Sequence, residues 1–300
     1  MRGERDMTQM RKVLAVTEET TLLPFLLREV TGKSRNTVKG LLTRRQVMRG
    51  RDGGRPVRRP SAAGAAGHAS PPEAAGAAEL PFPVLYQDRD LIAVDKPAGL
   101  LSMGNEKERT RTAYRMVSDY VKAREPGGRI FIVHRLDRDT SGVLVFAKNE
   151  RMKRALQDHW EALVQQRGYV AAVEGDLPEP EGTVRSYLRE TATHLVYSGP
   201  RGKEGREAVT HYRVLARGKG FSLVEVTIDT GRKNQIRVHM QDLGCPVAGD
   251  RQYGAQSDPM GRLALHAHVL RFTDPRSKKT LELKASLPLG FQKLFPGAEQ

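Results

Sequence analysis

The 300-residue chain is poor in cysteine and has no long apolar run. Its single cysteine, Cys245, excludes an intrachain disulfide and a zinc site built from several thiolates. The N-terminal region is polar and contains no stretch that resembles a signal peptide or a membrane span. These absences predict a cytoplasmic protein with no membrane partner.

Acidic residues are also scarce relative to basic ones. The chain has 35 Asp and Glu against 50 Lys and Arg, which gives a formal net charge of +15 and a pI near 10.1. Such an excess favours a nucleic acid or another polyanion as partner. Residues 1–60 hold fifteen basic and six acidic residues, so this short segment carries +9 of the total.

A low-complexity segment at residues 61–81 divides the chain. Ala, Gly, Pro and Ser dominate it, and a segment with so little apolar surface to bury is typical of a linker. The predicted organisation is a basic N-terminal module at 1–60, the linker at 61–81 and a large domain at 82–300.

The N-terminal module has the pattern of two short helices with a basic rim. Residues 22–27 form an apolar stripe, and Ser34 can cap a second helix that buries Val38 and Leu41. The basic residues left outside are Lys33, Arg35, Lys39, Arg44 and Arg45. The pattern resembles a truncated RNA-binding module of the ribosomal protein S-four type. The alternative is a solvated basic helix pair without RNA contact.

The large domain is rich in predicted strands. They cover residues 84–86, 91–94, 143–147, 169–173 and 221–228. One helix is predicted after the capping residue Asn149, with Trp160 in the core and Val164 near its end, and a second near 235–243. Unevenly spaced strands with few helices predict an α+β domain around a mixed, largely antiparallel sheet.

Residues 134–148 read HRLDRDTSGVLVFAK and place an aspartate, Asp137, on a polar turn between two apolar segments. A turn displayed by a sheet is a common position for catalytic groups. An ordinary hairpin turn, however, also favours Asp, Thr, Ser and Gly. The residues of this turn alone leave both interpretations open.

Three segments together resemble the RluA family of RNA pseudouridine synthases. The first is HRLD, two variable residues and TSG at 134–142; the second is VDKPAGL at 94–100; the third is TGRKNQIRVH at 230–239, followed by further matching residues up to Gly254. The three segments occur along the chain in the order typical of the family, within a stretch from about residue 83 to 288. The resemblance implies a long bent sheet with flanking helices and a central cleft.

The activity implied by this resemblance is the isomerisation of uridine to pseudouridine in structured RNA, without a cofactor or metal. Asp137 would be the catalytic carboxylate. Its reference pKa near 3.9 and a neighbouring arginine predict an ionised group at neutral pH. Attack on the sugar, attack on the base and removal of a sugar proton all remain open for it.

The resemblance implies three further roles. Tyr169 would pack on the target base, Arg237 would be the basic partner of the aspartate, and Arg135 would fill the stack vacated by the flipped uridine or hold a phosphate. Arg167 stands where the family usually has Lys, and Asn234 where it usually has His.

The substrate and two other functions remain open at this point. The basic N-terminal module favours large-subunit ribosomal RNA, with transfer RNA as the alternative. A catalytically silent RNA-binding or ribosome-assembly protein is a second possibility. Glycoside hydrolysis would require a second carboxylate, for which Asp139 is the candidate. His266 and His268 are expected on opposite faces of a strand, so no metal site is predicted, and a monomer is expected.

Overall fold

The computed structural model describes residues 79–106, 108–202 and 205–297. The N-terminal module at 1–60, with the five basic residues predicted to contact RNA, and nearly all of the predicted linker lie outside these ranges. The interpretation of both segments therefore stays a prediction. The described strands are β1 (Val84–Gln87), β2 (Leu91–Lys96), β3 (Phe131–Ile132), β4 (Ser141–Ala147), β5 (Val164–Glu174), β6 (Glu181–Glu190), β7 (Val196–Gly199), β8 (Arg206–Gly218), β9 (Phe221–Ile228), β10 (Leu265–Thr273) and β11 (Thr280–Lys284).

These strands form one sheet whose order is β1-β2-β4-β10-β5-β9-β8-β6-β7. β3 adds to β4, and β11 adds to β10. Among the strands described, β4 and β10 pair in parallel and the other pairings are antiparallel. The prediction of a mixed, largely antiparallel sheet is confirmed.

The parallel junction between β4 and β10 joins the two halves of the sheet. There Gly142 lies opposite Ala267 and adopts a φ of +112°. A Cβ at this position would lie 2.1 Å from the carbonyl oxygen of Ala267. Only glycine fits, because backbone meets backbone where a side chain would have to be.

The described helices are short. They are α1 (Ala113–Arg124), α2 (Glu150–Asp158), α3 (Trp160–Leu163), α4 (Gln235–Asp242) and α5 (Leu289–Leu294), with a 3₁₀ helix at Arg251–Tyr253. The predicted cap is confirmed, since the Asn149 side chain accepts from the Met152 amide. The prediction of one helix as far as Val164 is wrong: the helix breaks at His159, and Val164 opens β5. Pairing of β5 with β10 overrides the helical periodicity there.

The helices cover the sheet over three main apolar clusters. α1 packs over the β2 and β4 half, and α2 contributes Met152 and Leu156 to a cluster on the same half. α4 and α5 contribute Ile236, Met240 and Phe291 to the cluster of the β5, β9 and β8 half. In the part of the chain that the structure describes, no helix is both long and apolar enough to cross a membrane.

Candidate active site

An open cleft of about 470 Å³ lies where the two halves of the sheet meet. The loop between β3 and β4 supplies Asp137 and Arg135, β5 supplies Tyr169, and α4 supplies Arg237. The structure thus brings together the four predicted site residues of the large domain. Asp139, the candidate second carboxylate of a glycoside hydrolase, is exposed and is not part of the cleft wall.

Backbone contacts hold the loop that carries Asp137. The Ser102 hydroxyl donates to the Leu136 carbonyl at 2.7 Å and accepts from the Leu136 amide at 3.0 Å. The Lys96 ammonium donates to the carbonyls of Pro97, Leu100 and Arg138 at 2.8–3.0 Å. These bonds fix the residues on both sides of Asp137.

His134 anchors the start of the same loop. Its Nε2 accepts from the Val145 amide at 3.0 Å, and its ring centroid lies 5.2 Å from that of Trp160. Burial, helped by the charge of Arg167, lowers the pKa of His134 to about 4, so the ring is neutral and able to accept this bond.

Trp160 lies at the edge of the cleft. It is half-buried and packs against the apolar cluster that contains Met152 and Leu156, as a core residue would. It also lines the cleft, so Trp160 is both a core residue, as predicted, and part of the cleft wall.

The electrostatic environment of Asp137 differs from the expectation. Burial raises the pKa of its carboxyl, while the charges of Arg237, Arg135 and, less strongly, Lys233 lower it. Burial prevails over the cations, so the pKa lies above its ordinary value although the neighbouring arginines lower it. The result is a carboxylate that is more basic than an ordinary aspartate.

Arg237 is held rigidly by its own side-chain contacts. Its Nε and Nη2 form a two-pronged ion pair with the Asp250 carboxylate at 2.6 and 2.7 Å. Its guanidinium carbon also lies 4.7 Å from the centroid of the Tyr253 ring. Burial lowers the pKa of Arg237, but the contact with Asp250 and the charge of Asp137 together raise it above its ordinary value, and the group stays charged. Within the described residues its hydrogen bonds do not reach Asp137, so the two interact through charge across the cleft.

Asn234 stands directly before α4 in a left-handed conformation, with a φ of +54°. Asn tolerates this conformation better than most residues. Its side chain accepts from Arg237 Nη1 at 3.0 Å and donates to the Tyr253 hydroxyl at 3.0 Å. Asn234, at the position where the resemblance would place a His, therefore takes part in positioning Arg237.

Tyr169 forms part of the cleft wall on β5, between Ala267 of β10 and Val226 of β9. Burial raises the pKa of its phenol to about 12, so the ring is neutral over the physiological range. A half-buried aromatic ring on the cleft wall is suited to packing against a nucleobase.

The sequence alone assigned no role to two residues that hold the site together. Lys96 was noted only as part of a turn motif, yet its side chain is fully buried against the loop that carries Asp137. Asp250 was noted only within the third motif, yet it is the partner of Arg237. A lysine that closes an apolar strand and an aspartate between Gly249 and the 3₁₀ helix were the available signals.

The expectation that His266 and His268 lie on opposite faces is wrong. Residues two apart on a strand share a face, and the two ring centroids are 6.2 Å apart. His266 instead shares the Ser141 hydroxyl, at 2.8 Å, with Arg262. Among the described residues, no group of three or more His, Cys, Asp or Glu is arranged to hold a metal.

A half-buried carboxylate surrounded by cations, with an aromatic wall beside it, defines an enzyme site for an anionic substrate that carries a planar ring. Comparison with known proteins identifies the enzyme. Residues 90–242 match the family model described as RNA pseudouridylate synthase. The chain belongs to the RNA pseudouridine synthase family, of the RluA type that its three motifs predict, and is an isomerase that acts on RNA.

Two curated relatives illustrate the range of the family. The ribosomal large subunit pseudouridine synthase D of Xanthomonas campestris is 36% identical, over 72% of this chain and 69% of that protein. The tRNA pseudouridine synthase C of Haemophilus ducreyi is 34% identical, over 71% of this chain and 93% of that protein.

The fold has a counterpart among solved structures. The human RNA pseudouridylate synthase domain containing 4 aligns with a TM-score of 0.58 at 25% identity. The alignment covers 70% of this chain and 91% of that chain. The pseudouridine synthase fold, with its large mixed sheet and few helices, is thus confirmed.

Proposed function

We propose that the protein converts specific uridines of large-subunit ribosomal RNA to pseudouridine, with Asp137 as the catalytic carboxylate. The observation that carries this proposal is the position of Asp137 in the cleft, where burial raises its pKa and Arg237 and Arg135 line the same cleft. A carboxylate of raised basicity can act as nucleophile or base without metal or cofactor.

The reaction breaks the bond between the base nitrogen and the ribose, rotates the uracil, and rejoins it through ring carbon five. Carbon five loses its hydrogen as a proton, and the base nitrogen gains one, so atoms balance. Asp137 engages the sugar or the base during this exchange. The fixed charge of Arg237 offsets negative charge that develops in the cleft, and it needs no rearrangement to do so.

Two other residues are proposed to contact the flipped base and the RNA around it. Tyr169 packs against the uracil, an interaction worth roughly 1–3 kcal/mol. Arg135 is exposed on the same loop as Asp137, and it fills the space that the flipped uridine leaves in the RNA or binds a phosphate.

Ribosomal RNA is proposed over transfer RNA on the basis of charge. The first 60 residues carry a net +9, and such a basic segment adds affinity for a large RNA through its phosphates. Lys33, Arg35, Lys39, Arg44 and Arg45 are the proposed contacts. The names of the Xanthomonas and Haemophilus relatives refer to one substrate each, so family membership alone does not choose between them.

The catalytic assignment is tested by replacing Asp137→Asn and measuring tritium release from RNA labelled at uracil carbon five. We expect the rate to fall at least about 10³-fold, with RNA affinity retained, because an amide cannot act as nucleophile or base. The matched control is Asp139→Asn on the same turn, which should retain activity. Substantial turnover by Asp137→Asn would refute the assignment.

The substrate is tested by mapping pseudouridines in ribosomal and transfer RNA from cells with and without the gene. We expect sites to disappear from the large-subunit RNA and to return when the wild-type gene is restored. Loss of sites from transfer RNA alone would overturn the ribosomal assignment. Unchanged maps, together with no tritium release from either RNA in vitro, would argue for the catalytically silent RNA-binding alternative.

A further inference from the structure

Arg167 enters the cleft beside Tyr169. The two residues are two positions apart on β5, so their side chains leave the same face of the sheet. Arg167 lines the cleft, and with His134 and Leu136 it also lines a small cavity of about 20 Å³ behind the catalytic loop. Its side chain therefore borders the same cavity as His134 and Leu136, which lie on the loop that carries Asp137.

The guanidinium of Arg167 reaches the opposite wall as well. Its Nη2 donates to the carbonyl oxygen of Asp229, the first residue after β9. From Asp229 the chain runs through residues 230–234 into α4, which carries Arg237. A single side chain thus connects the Asp137 wall, Tyr169 and the loop that leads to Arg237.

Gly231 shows how closely the guanidinium lies against this loop. A Cβ at Gly231 would be 2.7 Å from Arg167 Nη1, and the other atom within 4 Å is the central carbon of the same guanidinium. Gly231 does not have a positive φ, so its backbone conformation permits alanine. The lack of a side chain at 231 therefore serves the close approach of Arg167.

We propose that Arg167 is a positioning residue that fixes the loop at 229–234, and with it Arg237, relative to Asp137 and Tyr169. The inference rests on the proposed role of Asp137. Arginine suits this position because its planar group lies flat on the backbone while donating to Asp229. Misplacement of a charge by about 1 Å can cost roughly 10²-fold in rate, so a clamp of this kind is expected to affect turnover.

Gly231→Ala tests the clamp without removing any charge or donor. The added methyl displaces the guanidinium, which is the flexible end of a side chain. We expect the single-turnover rate to fall about 10-fold while RNA affinity changes less than about 2-fold. Gly218→Ala is the matched control, since a Cβ there meets nothing within 4 Å, and it should behave as wild type.

A double-mutant cycle with Arg167→Met makes the test specific. Because Gly231→Ala acts through the guanidinium, it should have no further effect once Arg167 is replaced. Arg167→Lys keeps the positive charge but not the planar guanidinium. Compared with Arg167→Met, it should therefore restore RNA affinity fully and the turnover rate only in part. Thermal unfolding of each variant verifies that the fold is intact.

Three results would overturn the clamp. The first is an unchanged rate in Gly231→Ala, and the second is that the effects of Gly231→Ala and Arg167→Met simply add. The third is a loss confined to RNA affinity, which Arg167→Lys restores completely, because Arg167 would then act only as a charge for RNA. If Asp137→Asn stays active, the assignment of Asp137 fails, yet the coupling between Arg167 and Gly231 can still be measured in the wild-type background.

Discussion

The two walls of the cleft hold their functional groups in opposite ways. On the Asp137 wall, Ser102, Lys96 and His134 bind backbone atoms of the loop and its neighbouring strand. Within the described residues, these bonds leave the Asp137 carboxylate itself unengaged. On the other wall, Asp250 and Asn234 bind the Arg237 side chain directly.

This difference agrees with the role proposed for each group. A carboxylate that forms or accepts new bonds during a reaction cannot also be committed to permanent hydrogen bonds, so its position is set through the chain. A charge that only stabilises can be fixed by its own side chain, and a fixed charge costs no reorganisation during the reaction. The following variants test whether the two walls are independent.

The largest effect is expected from Lys96→Met, which leaves the carbonyls of Pro97, Leu100 and Arg138 without their donor. Unsatisfied buried groups cost about 1–3 kcal/mol each, partly offset here by removal of a buried ammonium, so we expect the free energy of unfolding to fall by about 3 kcal/mol. Urea unfolding measures this, with the exposed Lys122→Met as a control that should change it by less than about 0.5 kcal/mol.

Amide hydrogen exchange then locates the damage. In Lys96→Met, exchange should accelerate at residues 134–140 and stay slow in α4. Acceleration in both segments would mean that the two walls open as one unit, and the comparison would fail.

Asp250→Asn should weaken the other wall. It leaves the partly buried Arg237 with a neutral partner, and we expect a loss of about 2 kcal/mol in stability and about 10-fold in single-turnover rate. Exchange should accelerate in α4 and not at 134–140. Glu282→Gln, in an exposed pair with Arg271, is the control and should cost less than about 1 kcal/mol.

Asn234→Ala should have a smaller effect, about 1–2 kcal/mol, because alanine loses two hydrogen bonds and tolerates the left-handed conformation poorly. Asn234→Gly removes the same side chain but accepts the conformation, so it should be the more stable of the two. Equal stabilities in urea unfolding would show that backbone conformation contributes nothing at this position.

The pH profile tests the long-range charge between the walls. The proposed reaction uses the ionised carboxyl of Asp137, whose pKa burial raises, so the single-turnover rate should fall as the pH drops through that raised pKa. Arg237 lowers this pKa, and Arg237→Gln should therefore move the acid limb to higher pH. Arg154→Gln, exposed on α2, should leave the limb in place. If the acid limb of the pH–rate profile did not move in Arg237→Gln, the charge of Arg237 would have no effect on Asp137 across the cleft.

Local patterns predicted part of this molecule well. The span of β9, the cap at Asn149 and the start of α4 follow from residues close together in the sequence. The first and third motifs contain Arg135, Asp137 and Arg237, which meet in the cleft. The capped helix was predicted too long, because whether Val164 continues a helix or opens a strand depends on its pairing with β10.

Other features could not be predicted because distant residues create them. Lys96 binds a carbonyl 42 positions away, and Arg237 finds Asp250 only through the turn after α4. Strands β6 and β8 carry many charged residues, and their pairing rather than their hydrophobicity defines them. The burial of Asp137 likewise depends on several elements that are far apart in the sequence, so its raised pKa could not be predicted from the sequence.

Gly142 separates two kinds of information carried by one motif. Its contact with Ala267 belongs to the seam of the sheet, and a descendant of this fold that had lost its chemistry would still require glycine there. Asp137, five residues earlier, has no comparable architectural duty. In a survey of related genomes, glycine at this position would therefore identify the fold, and under the role proposed for Asp137 the aspartate would distinguish active enzymes from inactive ones.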